Sequence, residues 1–342
     1  MSGLHPGFDL LYFSGVHALM RPLWSGVGAI LALHHVRPPR DDPFQPNRRL
    51  EVSPQFLERV VGKLRRSGVD LVSLDELHRR MIERDFRRRF VCLTFEDGYR
   101  DTRTWAAPIL KRHGVPFAVF VATSFADRVG ELWWIALERI VVKAERIALL
   151  VDGRDLRFAC RSVTQKRDTF DAIHRWLCGL PNEQARAVVR DLASRYAVDT
   201  TGICRELCMT WGEIAELAAD PSVTVGAHTV NHVSLARVSE EEVRAEMNMS
   251  RAVIESAIGV RPEHLAYPFG EEDAAGPREF RIAAELGFRT AVTTRPGVLF
   301  SRHAEHLTAL PRLSLDGEHQ HLRYVNVLLS GAATRSREAQ MA

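Results

Sequence analysis

Two adjacent carboxylates and two spaced histidines are the side chains of this sequence best suited to act together in chemistry. Glu96 and Asp97 follow the apolar run 90–93, and His228 and His232 follow a second run that ends in Gly226. The spacing of four between the histidines predicts one helical turn, on which both imidazoles can face the same point. Two neutral imidazoles with one carboxylate form a frequent catalytic metal set, which leaves positions free for water and substrate. Asp97, His228 and His232 are therefore the candidate ligands of a divalent cation.

Glu96 and Asp97 should differ in their roles. Two bare carboxylates this close repel each other, which raises one pKa unless a cation lies between them. A cation on Asp97 removes that cost and acidifies a bound water that Glu96 can deprotonate. The alternative is an ion pair between Glu96 and an arginine such as Arg100, with the two histidines as unrelated surface residues at the start of a helix.

A third candidate group lies in the segment Ala266-Tyr267-Pro268-Phe269-Gly270. The pattern predicts the end of a strand followed by a turn. Such a turn can expose backbone N–H groups as an oxyanion hole. Proline–glycine turns are common, so this segment gains meaning only from its position relative to the other two.

The segments that must position these residues alternate between strand and helix. Serine and threonine caps at Ser53, Ser73, Thr210 and Ser239 predict helix starts between the apolar runs. Alternation of this kind predicts an α/β fold with a parallel sheet, and about seven units favour a distorted, incomplete (β/α) barrel. The expected strands are 30–33, 69–72, 90–95, 117–121, 223–226, 264–267, 288–292 and 310–314.

The alternation breaks between residues 127 and 209. Here the sequence predicts a helix from Leu132 to about Ala144, a hairpin around Gly153, and a helical stretch over 167–196. We expect an inserted, mainly helical subdomain that forms one wall of a substrate cleft. The expected organisation is an N-terminal helical segment (1–29), a barrel (30–126 and 210–318), this insertion (127–209) and a polar C-terminal tail (319–342).

Composition limits the classes of function. The 342 residues are 46% hydrophobic and 26% charged, and a net charge of +3 is too small to argue for a nucleic-acid partner. The five cysteines suit reduced thiols in a cytoplasmic protein, and neither a signal peptide nor a membrane-spanning run is expected. A helical apolar stripe near the N-terminus is expected to pack on the domain, and it consists of Leu11, Tyr12, Val16, Leu19, Met20 and Leu23. The alternative is that it contacts a membrane surface or a partner.

Three motifs in a fixed order carry a resemblance to a known family. Thr94–Tyr99, then His228–His232, then Tyr267–Gly270 resemble the polysaccharide deacetylase superfamily, the NodB-homology group of carbohydrate esterases that includes chitooligosaccharide deacetylases. The resemblance covers most of residues 30–315 and is weakest over 127–209. It implies a distorted (β/α) barrel and metal-dependent hydrolysis of an acetyl group on a sugar.

The resemblance also implies roles for individual residues. Asp97, His228 and His232 would bind the metal, usually Zn²⁺, and Glu96 stands where the family has its catalytic base, normally aspartate. The backbone N–H of Phe269 would serve the oxyanion. Tyr99, Tyr267 and Pro268 are the candidate substrate contacts.

The sequence departs from the family pattern at three places. Glu96 is longer than aspartate by one methylene. Ala266 occupies the position where many members have an arginine that orients the base, so that support is missing or comes from elsewhere. The late histidine that acts as general acid in many members has no clear counterpart. His34 is the candidate donor, with His35 an equal alternative and a structural role open for both.

The expected function is metal-dependent removal of an N-acetyl or related acyl group from a carbohydrate, by a hydrolase of carbon–nitrogen bonds other than peptide bonds. One alternative is a deformylase or deacetylase of a lipid-linked or nucleotide-linked sugar in the cytoplasm. The other is a non-catalytic sugar-binding protein on the deacetylase fold.

Overall fold

The computed structural model describes residues 6–151 and 154–334. The strands are β1 (Gly28–Leu33), β2 (His35–Val36), β3 (Glu51–Val52), β4 (Asp70–Leu71), β5 (Phe90–Phe95), β6 (Phe117–Val121), β7 (Arg146–Val151), β8 (Arg154–Ala159), β9 (Val223–Ala227), β10 (His264–Ala266), β11 (Thr290–Pro296) and β12 (Leu310–Ser314). The helices are α1 (Pro6–Phe13), α2 (Val16–Leu19), α3 (Arg21–Trp24), α4 (Pro54–Arg66), α5 (Leu74–Glu83), α6 (Ala107–Arg112), α7 (Thr123–Ala126), α8 (Trp133–Lys143), α9 (Val163–Gly179), α10 (Asn182–Arg195), α11 (Thr200–Leu207), α12 (Trp211–Ala218), α13 (Glu240–Ile258), α14 (Pro277–Glu285) and α15 (Leu322–Leu329).

Seven parallel strands close into a barrel. Their order is β1-β12-β11-β10-β9-β6-β5, and pairing of β1 with β5 from Gly28–Phe90 to Leu33–Phe95 completes the ring. The short β4 pairs only with the first residues of β5 and lies outside the ring. Every residue of β1 and β5 is buried, as expected for parallel strands covered on both faces. The predicted α/β barrel is confirmed.

The helices that surround the barrel begin where the sequence places caps. The hydroxyls of Ser53, Ser73 and Ser239 each accept a hydrogen bond from the third residue of the following helix. Thr210 and Glu213 form the full reciprocal capping box at the start of α12. These helices hold the strands parallel, so all carboxyl ends of the strands, and the polar residues that follow them, meet at one face of the barrel.

The segment between α7 and α12 is mainly helical and has its own hydrophobic core. Helices α8 to α11 pack with the antiparallel hairpin β7–β8 around apolar residues distinct from those of the barrel. The predicted hairpin residue Gly153 lies outside the described ranges. In this core Leu137, Ile140 and Leu192 are fully buried, so the insertion is a compact body rather than a long loop.

The first helix, α1, and the last, α15, pack against each other on one side of the barrel. The segment predicted as a polar tail contains α15, whose Tyr324, Val325 and Val327 are buried. The N-terminal stripe forms three short helices. Four of its residues are half-buried, whereas Leu19 and Leu23 are exposed. Within the described ranges no helix combines the length and apolar character needed to cross a lipid bilayer.

Candidate active site

Three side chains predicted as metal ligands converge at the carboxyl face of the barrel. Asp97 follows β5, and His228 and His232 follow β9, with β6 between the two strands. Asp97 Oδ1 lies 3.4 Å from His228 Nε2 and 3.2 Å from His232 Nε2. All three residues are buried, and one ligand atom from each lies within 4.8 Å of the others.

The orientation of His228 is set by the backbone. Its Nδ1 lies 2.7 Å from the carbonyl oxygen of Ala266 at the end of β10. Because a carbonyl only accepts hydrogen bonds, Nδ1 carries the proton and the lone pair of Nε2 points toward Asp97. A second contact that fixes the tautomer in this way is usual for a metal-binding histidine.

A buried carboxylate oxygen without a hydrogen-bond partner marks the same point. Across the described parts of the chain, Asp97 Oδ1 is buried and finds no hydrogen-bond partner. Burial raises the pKa of Asp97, but the neighbouring imidazoles of His232 and His228 hold this pKa well below its usual range. A buried, ionised carboxylate facing two imidazole nitrogens is the donor set that suits a divalent cation.

The spacing of the donors fits such a cation. Zinc–nitrogen and zinc–oxygen bonds of about 2.0–2.2 Å at a tetrahedral angle separate ligand atoms by about 3.4 Å. The separations of 3.2 and 3.4 Å from Asp97 Oδ1 to the two nitrogens match this value. Asp97, His228 and His232 could therefore hold zinc without a large movement of their side chains.

The two histidines lie on an irregular loop, so our expectation of a helical turn is wrong. Thr229 and His232 have positive φ angles of 63° and 52°, which no helix allows. The carboxylate of Glu246 on α13 accepts hydrogen bonds from the N–H groups of Val230 and Asn231 at 2.8 and 2.9 Å. These contacts fold the loop so that both imidazoles face Asp97.

Glu96 is held by an arginine that the sequence analysis missed. Arg312 on β12 donates hydrogen bonds to both carboxylate oxygens of Glu96, and its Nε donates to the carbonyl of Thr293 at 2.7 Å. Arg312 is 1% exposed. The signal was available, because a charged residue inside an otherwise apolar strand needs a buried partner. The predicted alternative partner, Arg100, instead pairs with Glu213.

This pairing keeps Glu96 ionised. Burial alone would raise the pKa of Glu96, but the charge of Arg312, with a smaller effect of His228, lowers it below the usual value. Glu96 Oε2 also lies 3.7 Å from His228 Nε2. The carboxylate is thus charged, fixed in direction, and next to the candidate metal ligands. The support that Ala266 does not provide comes from β12.

The turn after β10 presents the predicted N–H donor. Phe269 has a φ angle of 61° and Gly270 one of 64°, and Gly270 O accepts a hydrogen bond from Thr294 N at 3.0 Å. Within the described ranges the N–H of Phe269 donates to no other group. The ring of Phe269 lies 4.8 Å from that of His232, so the turn packs against the loop that carries His228 and His232.

The structure separates the two candidate acids. His34 lines the cavity at the site, and burial lowers its pKa to about 4. His35 points away: its Nδ1–H donates to Asp101 at 2.6 Å, and its ring stacks on Tyr99 at 3.6 Å. His34 is therefore the histidine within reach of a bound substrate, although it is neutral at neutral pH and must gain a proton before it can donate one.

The three predicted substrate contacts differ in placement. Tyr267 lines the cavity, but its hydroxyl donates to the carbonyl of Thr308 at 2.7 Å. Tyr99 and Pro268 are buried and are not among the cavity-lining residues. A role for any of the three in binding substrate stays a prediction.

A cavity of about 560 Å³ opens over these residues. The barrel supplies its floor, with His34, Glu96 and Asp97, and the insertion supplies one wall, with Trp133, Trp134 and Arg186. The ring of Trp134 lies 5.1 Å from that of His232. An apolar, aromatic wall next to a polar floor is typical of a small-molecule site.

Comparison with known proteins agrees with this geometry. The family model for polysaccharide deacetylases matches residues 83–152 and 168–291. Among curated proteins, none matches the sequence significantly.

Solved structures share the fold. The deacetylase PplD of Streptococcus pyogenes, solved in complex with acetate, superimposes with a TM-score of 0.57 at 18% identity, over 88% of this chain and 96% of that one. IcaB of Ammonifex degensii gives 0.55 at 18% identity, over 89% and 97%. A de-N-acetylase of Aggregatibacter actinomycetemcomitans gives 0.54 at 15% identity, over 88% and 99%. With the family model matching more than half of the sequence, this chain belongs to the polysaccharide deacetylase family and is a hydrolase of carbon–nitrogen bonds other than peptide bonds.

Proposed function

We propose that this protein is a metal-dependent hydrolase that removes an N-acetyl or related acyl group from a carbohydrate. The observation that carries the proposal is the convergence of Asp97, His228 and His232 beside an ionised, arginine-held Glu96. A sugar-binding protein without catalysis has no need of a charged base fixed next to an open ligand set. This favours catalysis over the non-catalytic alternative.

Asp97, His228 and His232 would hold the divalent cation, and zinc suits two imidazoles and a carboxylate. When bound, such a cation supplies Lewis-acid activation of water and of the acyl carbonyl. The protein keeps the nitrogen lone pairs available by fixing the His228 tautomer, and it excludes bulk water by burying all three ligands.

The other residues divide the proton and charge transfers between them. The Glu96 carboxylate accepts the proton of the attacking water, and Arg312 keeps that carboxylate ionised and aimed. The N–H of Phe269 donates a hydrogen bond to the carbonyl oxygen as negative charge develops on it. Glu96 then gives up this proton, and His34 is the candidate that passes it to the nitrogen of the leaving amine.

The cavity supports a sugar as substrate. Trp133 and Trp134 offer flat apolar surfaces on which the C–H face of a pyranose ring can lie, while the floor supplies polar groups. The names of the structural relatives, a deacetylase with bound acetate and a de-N-acetylase, favour acetyl as the acyl group. A lipid-linked or nucleotide-linked sugar remains the alternative substrate class.

A metal assay on matched variants tests the metal site. Asp97→Asn should lose most of the bound zinc and all turnover of N-acetylated oligosaccharides, whereas Asp101→Asn, which alters a neighbouring carboxylate outside the ligand set, should keep its zinc. Equal zinc contents in both variants would overturn the assignment of Asp97.

Turnover tests the role of Glu96. Glu96→Gln should retain zinc at the wild-type ratio and lose release of acetate or formate by a factor of about 100 or more, because the general base is gone. Full activity in this variant would show that Glu96 is not the base. Tight sugar binding by the wild-type protein, loaded with zinc and with no turnover of any acylated sugar, would favour the non-catalytic alternative.

A further inference from the structure

An apolar patch faces outward on the N-terminal helices. Leu10, Phe13, Leu19 and Leu23 are 71%, 74%, 78% and 70% exposed, and we call these four residues the N-terminal patch. No residue of α1, α2 or α3 is buried. Single exposed leucines are ordinary on soluble proteins, but four large apolar side chains on one short segment mark an interaction surface.

The segment that carries the N-terminal patch is fixed to the barrel at both ends. Near its start, the Asp9 carboxylate accepts from Arg323 at 2.7 Å. At its end, Arg89 donates to the carbonyl of Ser25 at 2.7 Å, and Gly331 approaches the Trp24 carbonyl so closely that a side chain would not fit. The patch is therefore presented outward by a docked segment and is not the side of a loose end.

Three cations lie beside the N-terminal patch. Arg21 stands on α3 two residues before Leu23, and Lys63 and Arg66 occupy consecutive turns of α4. We call these three residues the basic cluster. Over the described ranges none of them forms an ion pair with a carboxylate. Helix α15 packs against both α1 and α4, so the basic residues of α4 lie on the side of the molecule that carries the patch. Burial lowers the pKa of Lys63, and the charges of Arg21 and Arg66 lower it further.

An uncompensated cluster of this kind attracts anions, and the adjacent apolar side chains favour a boundary between water and hydrocarbon. The two features together are the signature of a surface that lies on a membrane. Association with a second copy of the chain through this face would bring the two basic clusters toward each other, because a two-fold contact places the same surface on both sides. Like charges thus disfavour a dimer.

We propose that the N-terminal patch and the basic cluster together dock this protein on a membrane surface that carries anionic phospholipids. Leu10, Phe13, Leu19 and Leu23 enter the boundary between headgroups and acyl chains. Arg21, Lys63 and Arg66 pair with lipid phosphates. This inference rests on exposure and charge alone and is independent of the proposed reaction.

Vesicle sedimentation of the full-length protein tests the proposal. Binding is measured to phosphatidylcholine vesicles with and without phosphatidylglycerol, and only the anionic vesicles should retain the wild-type protein. The triple variant Arg21→Gln, Lys63→Gln, Arg66→Gln should bind them roughly a hundredfold more weakly, at about 1 kcal/mol for each basic residue. The double variant Leu19→Ser, Leu23→Ser should bind at least roughly tenfold more weakly, because two apolar side chains no longer leave water on binding.

Matched controls separate the patch from general charge and hydrophobicity. The triple variant Arg161→Gln, Arg167→Gln, Arg175→Gln removes the same charge from exposed positions on the insertion. Leu150→Ser with Leu156→Ser removes two exposed leucines from the β7–β8 hairpin. Both control variants should bind anionic vesicles like the wild type, and all four variants should keep the melting temperature and the turnover of a soluble substrate.

Three results would overturn the proposal. The first is equal binding by the patch variants and their controls, and the second is equal binding of the wild type to both kinds of vesicle. The third is a dimer in sedimentation velocity that Leu19→Ser with Leu23→Ser dissolves while vesicle binding is unchanged, since this would assign the patch to a contact between copies. If the wild-type protein binds anionic vesicles but deacylates no sugar, this result would count against the proposed reaction and not against membrane docking.

Discussion

Replacement of Arg312 by methionine tests how the protein keeps Glu96 ready to act as a base. Arg312 is buried and makes hydrogen bonds to Glu96, to Thr94 and to the carbonyl of Thr293. Methionine fills much of the same space but leaves the Glu96 carboxylate, 3% exposed, without a counter-charge. Removing one partner of a buried ion pair destabilises proteins by about 3–5 kcal/mol. We expect a loss in this range for Arg312→Met at neutral pH.

The loss of Arg312 should also change how activity and stability depend on pH. In the wild type the pKa of Glu96 is depressed, so the stability that this carboxylate contributes is present above its unfolded-state pKa and is lost as the pH falls through the lower folded value. Without Arg312, burial dominates and raises the pKa of Glu96. The acid limb of the activity profile should therefore move to higher pH, and the stability deficit of the variant should shrink as the pH falls.

Denaturant unfolding and a pH–rate profile measure both effects. Arg295→Met is the matched control, because Arg295 also lies on a barrel strand, β11, and packs on Phe280, but it pairs with no carboxylate in the described part of the chain. Its acid limb should match that of the wild type. A cycle with Glu96→Gln should give a coupling energy above about 1.5 kcal/mol. Additive stabilities, or an unshifted acid limb in Arg312→Met, would refute the view that Arg312 sets the charge of Glu96.

Three further outcomes follow from the same geometry. Glu246→Gln should weaken zinc binding about 10- to 100-fold, because it loosens the loop that carries His228 and His232. The control Glu242→Gln, at an exposed position on the same helix, should keep the wild-type zinc affinity. Equal zinc affinities of the two variants, measured by competition with a chelator, would contradict this. Phe269→Ala keeps the backbone N–H, so it should raise KM more than it lowers kcat, and a collapse of kcat alone would count against a purely backbone role. Gly259→Ala should cost about 1 kcal/mol from its positive φ angle, whereas Gly270→Ala should cost clearly more in thermal unfolding, because its new side chain would lie 2.6 Å from Thr294 N.

The barrel and the candidate metal ligands could be predicted from the sequence, because both depend on local patterns. Buried parallel strands are continuous apolar runs, and the residues that follow such strands must meet at one face. The spacing of His228 and His232 suggested a helical turn, but it is compatible with any tight loop. The positive φ of Thr229 and His232 and the clamp by Glu246 depend on residues that are distant in sequence.

The local sequence pattern could not show that Arg312 pairs with Glu96, nor that Trp133 and Trp134 form a wall of the cavity. Arg312 lies more than two hundred residues beyond Glu96, and only closure of the barrel through the β1–β5 and β1–β12 pairings brings β12 next to the site. In the sequence, Trp133 and Trp134 look like ordinary core residues at the start of a helix. Their position at the cavity follows from how the insertion packs on the barrel, which depends on shape complementarity between two cores.

The insertion between β6 and β9 also has a consequence for how the barrel assembles. These two strands are neighbours in the barrel, yet about a hundred residues separate them along the chain. The entropy lost on closing a loop grows with its length, so direct pairing of β6 with β9 from an unfolded chain would be slow. The insertion has its own core, in which α8 packs against α9, α10 and α11. If it folds first, it draws the two strand ends together and shortens the effective loop. We therefore expect the aromatic wall to gain protection from hydrogen exchange during refolding before the loop of His228 and His232 does.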